Sequence, residues 1–350
     1  MKKLNKFEVD NRIWQEDIEN LANEIIFEEY KNSSILVVGA SGLIGSEIVF
    51  SLIRANRIKK LNIKVVALVR NEKKAQEKFK NILTDSCFQI LIQDVNDKIN
   101  CDEKIDYIIH CANNTSSMDM LLKPVEVINT TLNGTRNVLE FAKEKKIKSL
   151  IYLSSLEVYG IIKKDELIKE DDFGYIDLAN PRSSYPESKR LAENLCTAYA
   201  CEYGIDVKIA RLTQTFGAGI LKDDNRVFAQ FARCASEKKN IILHTKGETI
   251  RNYCYITDCV NAILIILKNG LNKEIYNVAN EKSGISIYEM ANLIAQKNNI
   301  KVEFEIDDLN RGYNSTIKAC LDSSKLKTLG WQAKVGLDEM YERLIEYLKN

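Results

Sequence analysis

A tyrosine and a lysine four residues apart, in Ser184-Tyr185-Pro186-Glu187-Ser188-Lys189-Arg190, are the residues of this sequence best placed to do chemistry. The stretch after Pro186 is helical in pattern, and proline suits a first helical turn. Positions four apart lie on one helix face. A free tyrosine has a pKa near ~10, too high for a general base at neutral pH. A neighbouring ammonium favours the phenolate and lowers that value. Upstream, Ser155 follows an apolar run that reads as a strand, in Ser154-Ser155-Leu156-Glu157-Val158-Tyr159-Gly160. Its hydroxyl can bind and polarise the same substrate oxygen. Ser155, Tyr185 and Lys189 together suit proton transfer coupled to hydride transfer at an alcohol or ketone.

A second constellation lies near the chain start. A β-branched apolar run over 33–38 ends in Gly39-Ala40-Ser41-Gly42-Leu43-Ile44-Gly45, and helical character follows from Ser46. Strand, glycine turn and helix open a dinucleotide-binding unit. Gly39 permits the tight turn, Gly42 lets backbone N–H groups approach a pyrophosphate, and Gly45 lets helix pack on strand. The helix N-terminus adds partial positive charge. The turn from Gly39 through Ser41, Gly42, Leu43 and Ile44 to Gly45 is therefore the expected cofactor site, with Lys189 also able to hold the nicotinamide ribose. The second strand ends at Arg70, where an acid would select NAD and an arginine accommodates a 2′-phosphate. NADP is therefore favoured over NAD. Asp94 and Val95, after the third strand, suit an acceptor for the adenine amino group and its apolar neighbour.

Elements must bring these parts together. Buried strands are expected over 33–38, 63–69, 88–93, 105–110, 150–153 and 207–212. Helices separate them, including 123–145 and 186–203. This alternation predicts an α/β fold, a Rossmann-type doubly wound parallel sheet, with a smaller C-terminal substrate domain. The expected cofactor domain is 31–212 plus about 255–280, and the substrate domain 213–254 plus 281–350. Residues 1–30 are expected to form a docking helix, with Trp14, Ile18, Leu21 and Ile25 on one face.

Composition narrows the function classes. The chain has 350 residues, 45% hydrophobic and 28% charged, with 50 Lys and Arg against 49 Asp and Glu. A net charge of +1 gives no general reason to bind nucleic acid or an anionic membrane. No apolar run approaches the ~20 residues of a membrane span, and the N-terminus does not read as a signal peptide. The nine cysteines contain no Cys-x-x-Cys pair and there are two histidines, so no metal site is expected. The cysteines read as small apolar residues in a reducing cytoplasm.

The motifs resemble those of extended short-chain dehydrogenase/reductases of the NAD-dependent epimerase/dehydratase family. The resemblance runs over about 33–345. It rests on Gly39-x-x-Gly42-x-x-Gly45, His110-Cys111-Ala112, Asn133-Gly134-Thr135-x-Asn137, Ser155-x-x-x-Tyr159-Gly160, Tyr185-x-x-x-Lys189 and Leu329-Gly330-Trp331. It implies an enzyme acting on a nucleoside-diphosphate sugar: oxidation at C4, then epimerisation, dehydration or decarboxylation, then return of the hydride. Residues 185–217 are most similar to UDP-glucuronate decarboxylases. Glu157 falls where those enzymes and hexose 4,6-dehydratases carry an acid, which implies a base for the C5 proton. Three departures stand out: Leu156 replaces the dehydratases' aspartate, Thr131 the usual asparagine, and Gln214 the asparagine before the aromatic-glycine pair. Gln214 therefore implies altered substrate contacts.

On the substrate side, Arg226, Arg251 and Arg311 sit in loop-like contexts of the C-terminal third, and arginine grips a diphosphate with two donors. The resemblance implies that role for Arg251 and Arg311 in particular. A homodimer is the expected assembly. Two other functions fit the same residues. One is an NADPH-dependent reductase of a nucleotide-linked keto-sugar. The other is a catalytically silent dinucleotide-sensing protein.

Overall fold

Six apolar runs of four to seven residues, each separated by a helical or turn segment, leave the chain one economical solution: a parallel sheet with helices on both faces. A computed structural model of the protein describes residues 8–113, 115, 117–306 and 318–349. The strands are β1 (Ser34–Val38), β2 (Lys64–Val69), β3 (Phe88–Ile92), β4 (Tyr107–His110), β5 (Ser149–Ser155) and β6 (Val207–Leu212). A later strand, named β10 below, makes the sheet seven-stranded, in the order β3-β2-β1-β4-β5-β6-β10. Every pairing is parallel. The expected doubly wound sheet therefore forms, and strand order reverses between β1 and β4.

The sheet's two faces sort alternate residues of each strand. Ile35 and Val37 of β1 face α2 (Leu43–Lys59), while Leu36 and Val38 face α5 (Pro124–Lys145) and α6 (Ser184–Tyr203). Between them in sequence lie α3 (Glu72–Lys78) and α4 (Ser117–Leu122). The α5 and α6 contributions include Val138, Leu139, Phe141, Ala192 and Cys196. Val138, Leu139 and Phe141 each stabilise the fold by roughly 1.5–3 kcal/mol on full burial, and Ala192 by less. This packing holds α6, with Tyr185 and Lys189, rigidly over the carboxyl end of β5.

After β6 the chain runs through β7 (Gln214–Phe216), α7 (Val227–Ser236), β8 (Ile241–Leu243) and β9 (Ile250–Tyr255). It returns to the main sheet by α8 (Ile256–Asn269) and β10 (Ile275–Val278). It then leaves through β11 (Asn280–Ser286), α9 (Ile287–Asn298), β12 (Val302–Phe304), β13 (Lys318–Ala319), α10 (Ser324–Lys327) and α11 (Leu337–Lys349). A smaller sheet is built on β9, with antiparallel β11 on one edge and parallel β7 and β13 on the other. Because β7 continues β6 after one residue, the small sheet is carried directly on the large one.

At the N-terminus, α1 (Arg12–Ala22) buries Ile18 and Leu21, as the periodicity predicts. Ile25 departs from that reading: it is 76% exposed. The helix ends at Ala22, and a 3-10 turn over Ile25–Tyr30 turns the chain and buries Ile26, Phe27 and Tyr30 instead. Trp14 packs edge-on against Phe50 of α2 and donates its indole N–H to Glu47 at 2.5 Å. Among the described residues all nine cysteines are free thiols, no group of histidine, cysteine and acidic residues could hold a metal, and no helix is long and apolar enough to cross a membrane.

Candidate active site

Strand order reverses beside β1, so the glycine turn opens into the crevice that ligands use in such sheets. Gly39 has φ +80°, and a Cβ there would lie 2.7 Å from the Ala112 backbone. A Cβ on Gly45 would lie 2.5 Å from the Gly39 carbonyl oxygen, so only glycine lets α2 sit against the turn. Gly42, the N-cap of α2, differs. A Cβ there would make one ordinary contact, 3.4 Å from the Gly39 oxygen. No packing demands that glycine, and its exposed backbone faces the crevice. No acid occupies the first turn of α2, which leaves the helix N-terminus free to attract an anion.

A cleft of about 550 Å³ runs from this turn across the carboxyl ends of β5 and β6 to the small sheet. Gly39, Gly42, Leu43, Ile44 and Gly45 line one end. Ser155, Glu157, Tyr185 and Lys189 line the middle, and Gln214, Arg226 and Arg251 the far end. The structure thus brings together residues that sequence places up to 212 positions apart. Ser41 is half-buried in the turn. Arg70 and Asp94 stand at the ends of β2 and β3, with the Arg70 guanidinium 78% exposed and 3.8 Å from the Asp94 carboxylate. Val95 is buried against Gly134 of α5. Arg311 lies outside the described residues.

The centre of the cleft is built by α6 on β5. Tyr185 and Ser155 line it together, and the serine hydroxyl favours the phenolate. Lys189 Nζ donates to the Leu153 carbonyl at 2.6 Å and lies 4.5 Å from the Tyr152 ring centroid but 6.0 Å from that of Tyr185. The expectation that Lys189 lowers the Tyr185 pKa needs correction. Burial pushes Tyr185 well up, the Glu157 carboxylate adds to that, and Ser155, Arg182 and Arg226 oppose it. Burial likewise pushes Lys189 down to about 7, with the Glu193 carboxylate opposing. In a low-dielectric pocket the cost of carrying charge outweighs a lysine aimed chiefly at a carbonyl. His110 is buried, hydrogen-bonded to Thr135 at 3.2 Å and pushed down to about 3 by burial, so it is a neutral packing residue.

Two cleft residues were not legible in the sequence. Arg182, in the turn ahead of α6, holds both carboxylate oxygens of Glu157 at 2.9 Å. Asn113, after β4, accepts from Thr131 Oγ1 at 3.3 Å, while its own Nδ2 is buried and unpartnered among the described residues. Thr131 thus supports an amide at the cleft instead of supplying one. The signal for Arg182 was its place three residues before Tyr185, and for Asn113 its place just past a strand end. At the far end, Arg226 is paired with Asp224 and stacked over Phe228 at 4.7 Å. Arg251 Nε is buried without a partner among the described residues.

The model of a family described as "NAD dependent epimerase/dehydratase family" matches residues 35–279. UDP-glucuronic acid decarboxylase 3 of Arabidopsis thaliana is 30% identical over 311 residues, covering 88% of this chain and 86% of that protein. The dTDP-D-glucose 4,6-dehydratase of Homo sapiens is 27% identical over 329 residues, covering 90% and 89%. Among solved structures, UDP-glucose 4-epimerase of Thermotoga maritima with UDP-glucose superposes with a TM-score of 0.76 at 22% identity, covering 90% of this chain and 98% of that one.

Proposed function

The chain belongs to the NAD dependent epimerase/dehydratase family, and from that premise we propose that its cleft oxidises C4 of a nucleoside-diphosphate sugar and then alters the sugar at C5. The observation that carries this reading is the convergence of Ser155, Tyr185, Lys189 and Glu157 on one cleft that also holds the glycine turn and Arg251. The residues fit a dinucleotide: the free N-terminus of α2 and the open backbone at Gly42 suit a pyrophosphate, and the cleft continues to Lys189. Bound there, NAD or NADP supplies the nicotinamide that takes the hydride and later returns it.

The chain's own residues do the rest. Tyr185 accepts the C4 hydroxyl proton, Ser155 holds that oxygen, and Lys189 holds a ribose hydroxyl. Glu157 faces the sugar's C5 side as base for the second step. Arg251 offers a buried, unpartnered N–H to a phosphate oxygen, with Arg226 and Arg311 as further cations and Gln214 as a sugar contact. Arg70 is read as the 2′-phosphate contact, which favours NADP. Residues 31–212 with about 255–280 are read as the cofactor domain, and 213–254 with 281–350 as the substrate domain. Exposed Met118, Leu121, Leu122 and Val125 of α4 and α5 suit a second copy of the chain.

The test is a screen of nucleotide sugars by mass spectrometry, after identifying any dinucleotide that copurifies. Loss of water, loss of carbon dioxide or an unchanged mass separates dehydration, decarboxylation and epimerisation. Glu157→Gln keeps size but cannot accept a proton. It should leave C4 oxidation intact and slow product by ~10²-fold or more, with a 4-keto species accumulating. Unchanged product formation would remove dehydration and decarboxylation together. Exposed Arg70 also suits net reduction by NADPH, which would appear as stoichiometric NADPH loss.

A further inference from the structure

The face of α6 that carries Tyr185 and Lys189 carries a third buried polar residue one turn further on. Glu193 is 6% exposed, and its carboxylate takes hydrogen bonds from three donors. Ser154 Oγ donates at 2.5 Å, Arg211 Nη2 at 2.7 Å and Arg211 Nε at 3.0 Å. Arg211, on β6, is 1% exposed and directly opposite Ser154 in the sheet register. It is fixed in turn by the Glu170 carbonyl at 2.7 Å and by the Tyr159 ring at 4.8 Å. Successive turns of α6 thus meet the end of β5: Lys189 bonds Leu153, Glu193 bonds Ser154, and Tyr185 lines the cleft with Ser155.

We propose that Glu193 is a positioning residue of this site: pinned by Ser154 and Arg211, it sets α6 on β5 and supplies the counter-charge that keeps Lys189 an ammonium. The proposal rests on the reading that Lys189 serves the cleft. The groups facing Lys189 are Tyr185, Glu193 and Cys196 on its own helix, Tyr152 on β5, and His110 and Cys111 at the end of β4. Of these, His110 and both thiols are held neutral by burial at physiological pH, as is Tyr185. Glu193 is therefore the anion left to oppose the burial of Lys189. Arg211 ties that anion in place.

The test uses the full chain labelled with 13C at lysine Cε, with the Lys189 resonance assigned by its loss in Lys189→Met. The wild-type signal should titrate near about 7. A carboxylate favours the ammonium, so Glu193→Gln should move the midpoint down by about one unit or more. Ser154→Ala removes the latch and keeps the charge, so it should leave the midpoint in place. Glu193→Gln strands a buried Arg211. If it does not fold, Glu193→Gln/Arg211→Met removes both charges and should show a smaller downward move, because the Arg211 cation, which disfavours the ammonium, is lost with the carboxylate. An unmoved midpoint overturns the proposal, and so does an equal shift in Ser154→Ala. A merely structural Glu193 predicts no shift at all. This readout needs no substrate. Failure of the functional reading would instead appear as no turnover of any nucleotide sugar by a protein whose Lys189 titrates as stated.

Discussion

Alanine placed at each of the three turn glycines should give three different results. At Gly39, φ is +80° and the new Cβ would sit 2.7 Å from backbone atoms of Ala112. The left-handed conformation costs about 1–2 kcal/mol, and overpacking adds about 1–3 kcal/mol. At Gly45 the backbone is helical, so only the packing cost applies, because the Cβ would meet the Gly39 oxygen at 2.5 Å and Ala40 Cα at 2.9 Å. At Gly42, φ is −71° and the single contact at 3.4 Å is ordinary. Gly42→Ala should therefore fold within about 0.5 kcal/mol of wild type. It should still weaken dinucleotide binding by about tenfold or more, about 1.4 kcal/mol, because its methyl occupies the approach to the backbone N–H groups. Urea denaturation gives the stability order, Gly42→Ala above Gly45→Ala above Gly39→Ala. Calorimetric titration with NAD and NADP gives the affinities. A Gly42→Ala protein that binds both dinucleotides as wild type does would refute the assignment of the turn.

Tyr185→Phe and Lys189→Met should both fold and lose reduction of the bound dinucleotide by ~10²-fold or more, followed by nicotinamide absorbance; near-normal turnover in Tyr185→Phe would remove it as the proton acceptor. NADP should bind more tightly than NAD, and Arg70→Asp should reverse that order by calorimetry; a wild-type preference for NAD would end the 2′-phosphate reading. Burial, aided by Asp17, pushes Glu47 up to about 8, so the folded chain keeps a proton that the unfolded chain releases above its ordinary 4.5. Stability should then fall as pH rises from about 4.5 to about 8, and Glu47→Gln should flatten that slope in urea midpoints.

The large sheet was legible because five of its first six strands, all but the edge strand β3, are runs buried on both faces, and burial of that kind overrides local detail. Boundaries moved where pairing reaches past the apolar run. β5 was expected to end at Leu153, yet Ser154 and Ser155 continue it, because they pair with Arg211 and Leu212 of β6. That extension matters, since it places both serine hydroxyls against α6. Neither the small sheet nor the separate two-stranded β8–β12 pair was legible. β7 and β8 have three residues each and β13 has two, too short for any periodicity, and they exist only because β9 and β12 pair with them. Ser155, Tyr185 and Lys189 could be read as a set because helix spacing and a strand end fix their neighbourhood. The partners of charged residues could not. Glu157 finds Arg182 across 25 residues and Glu193 finds Arg211 across 18, and no local pattern announces either pair.

Those unannounced pairs decide how charge is shared around Tyr185. Glu157 raises the proton affinity of Tyr185, while Arg182 and Arg226 lower it. Arg182 is bound to Glu157 itself, and Arg226 is bound to Asp224. The fixed charges beside the phenol are thus arranged as neutral pairs. A lone carboxylate at Glu157 would serve the C5 step and hinder the C4 step, because it repels the phenolate that must form first. Arg182 offsets that repulsion, so one carboxylate can sit beside the reacting sugar without suppressing its own partner. In Glu157→Gln the repulsion is gone while Arg182 remains, so the phenolate is favoured. C4 oxidation should then run at least as fast as in wild type while the second step stalls. In Arg182→Met the carboxylate is left uncompensated, and the first step is the one that slows.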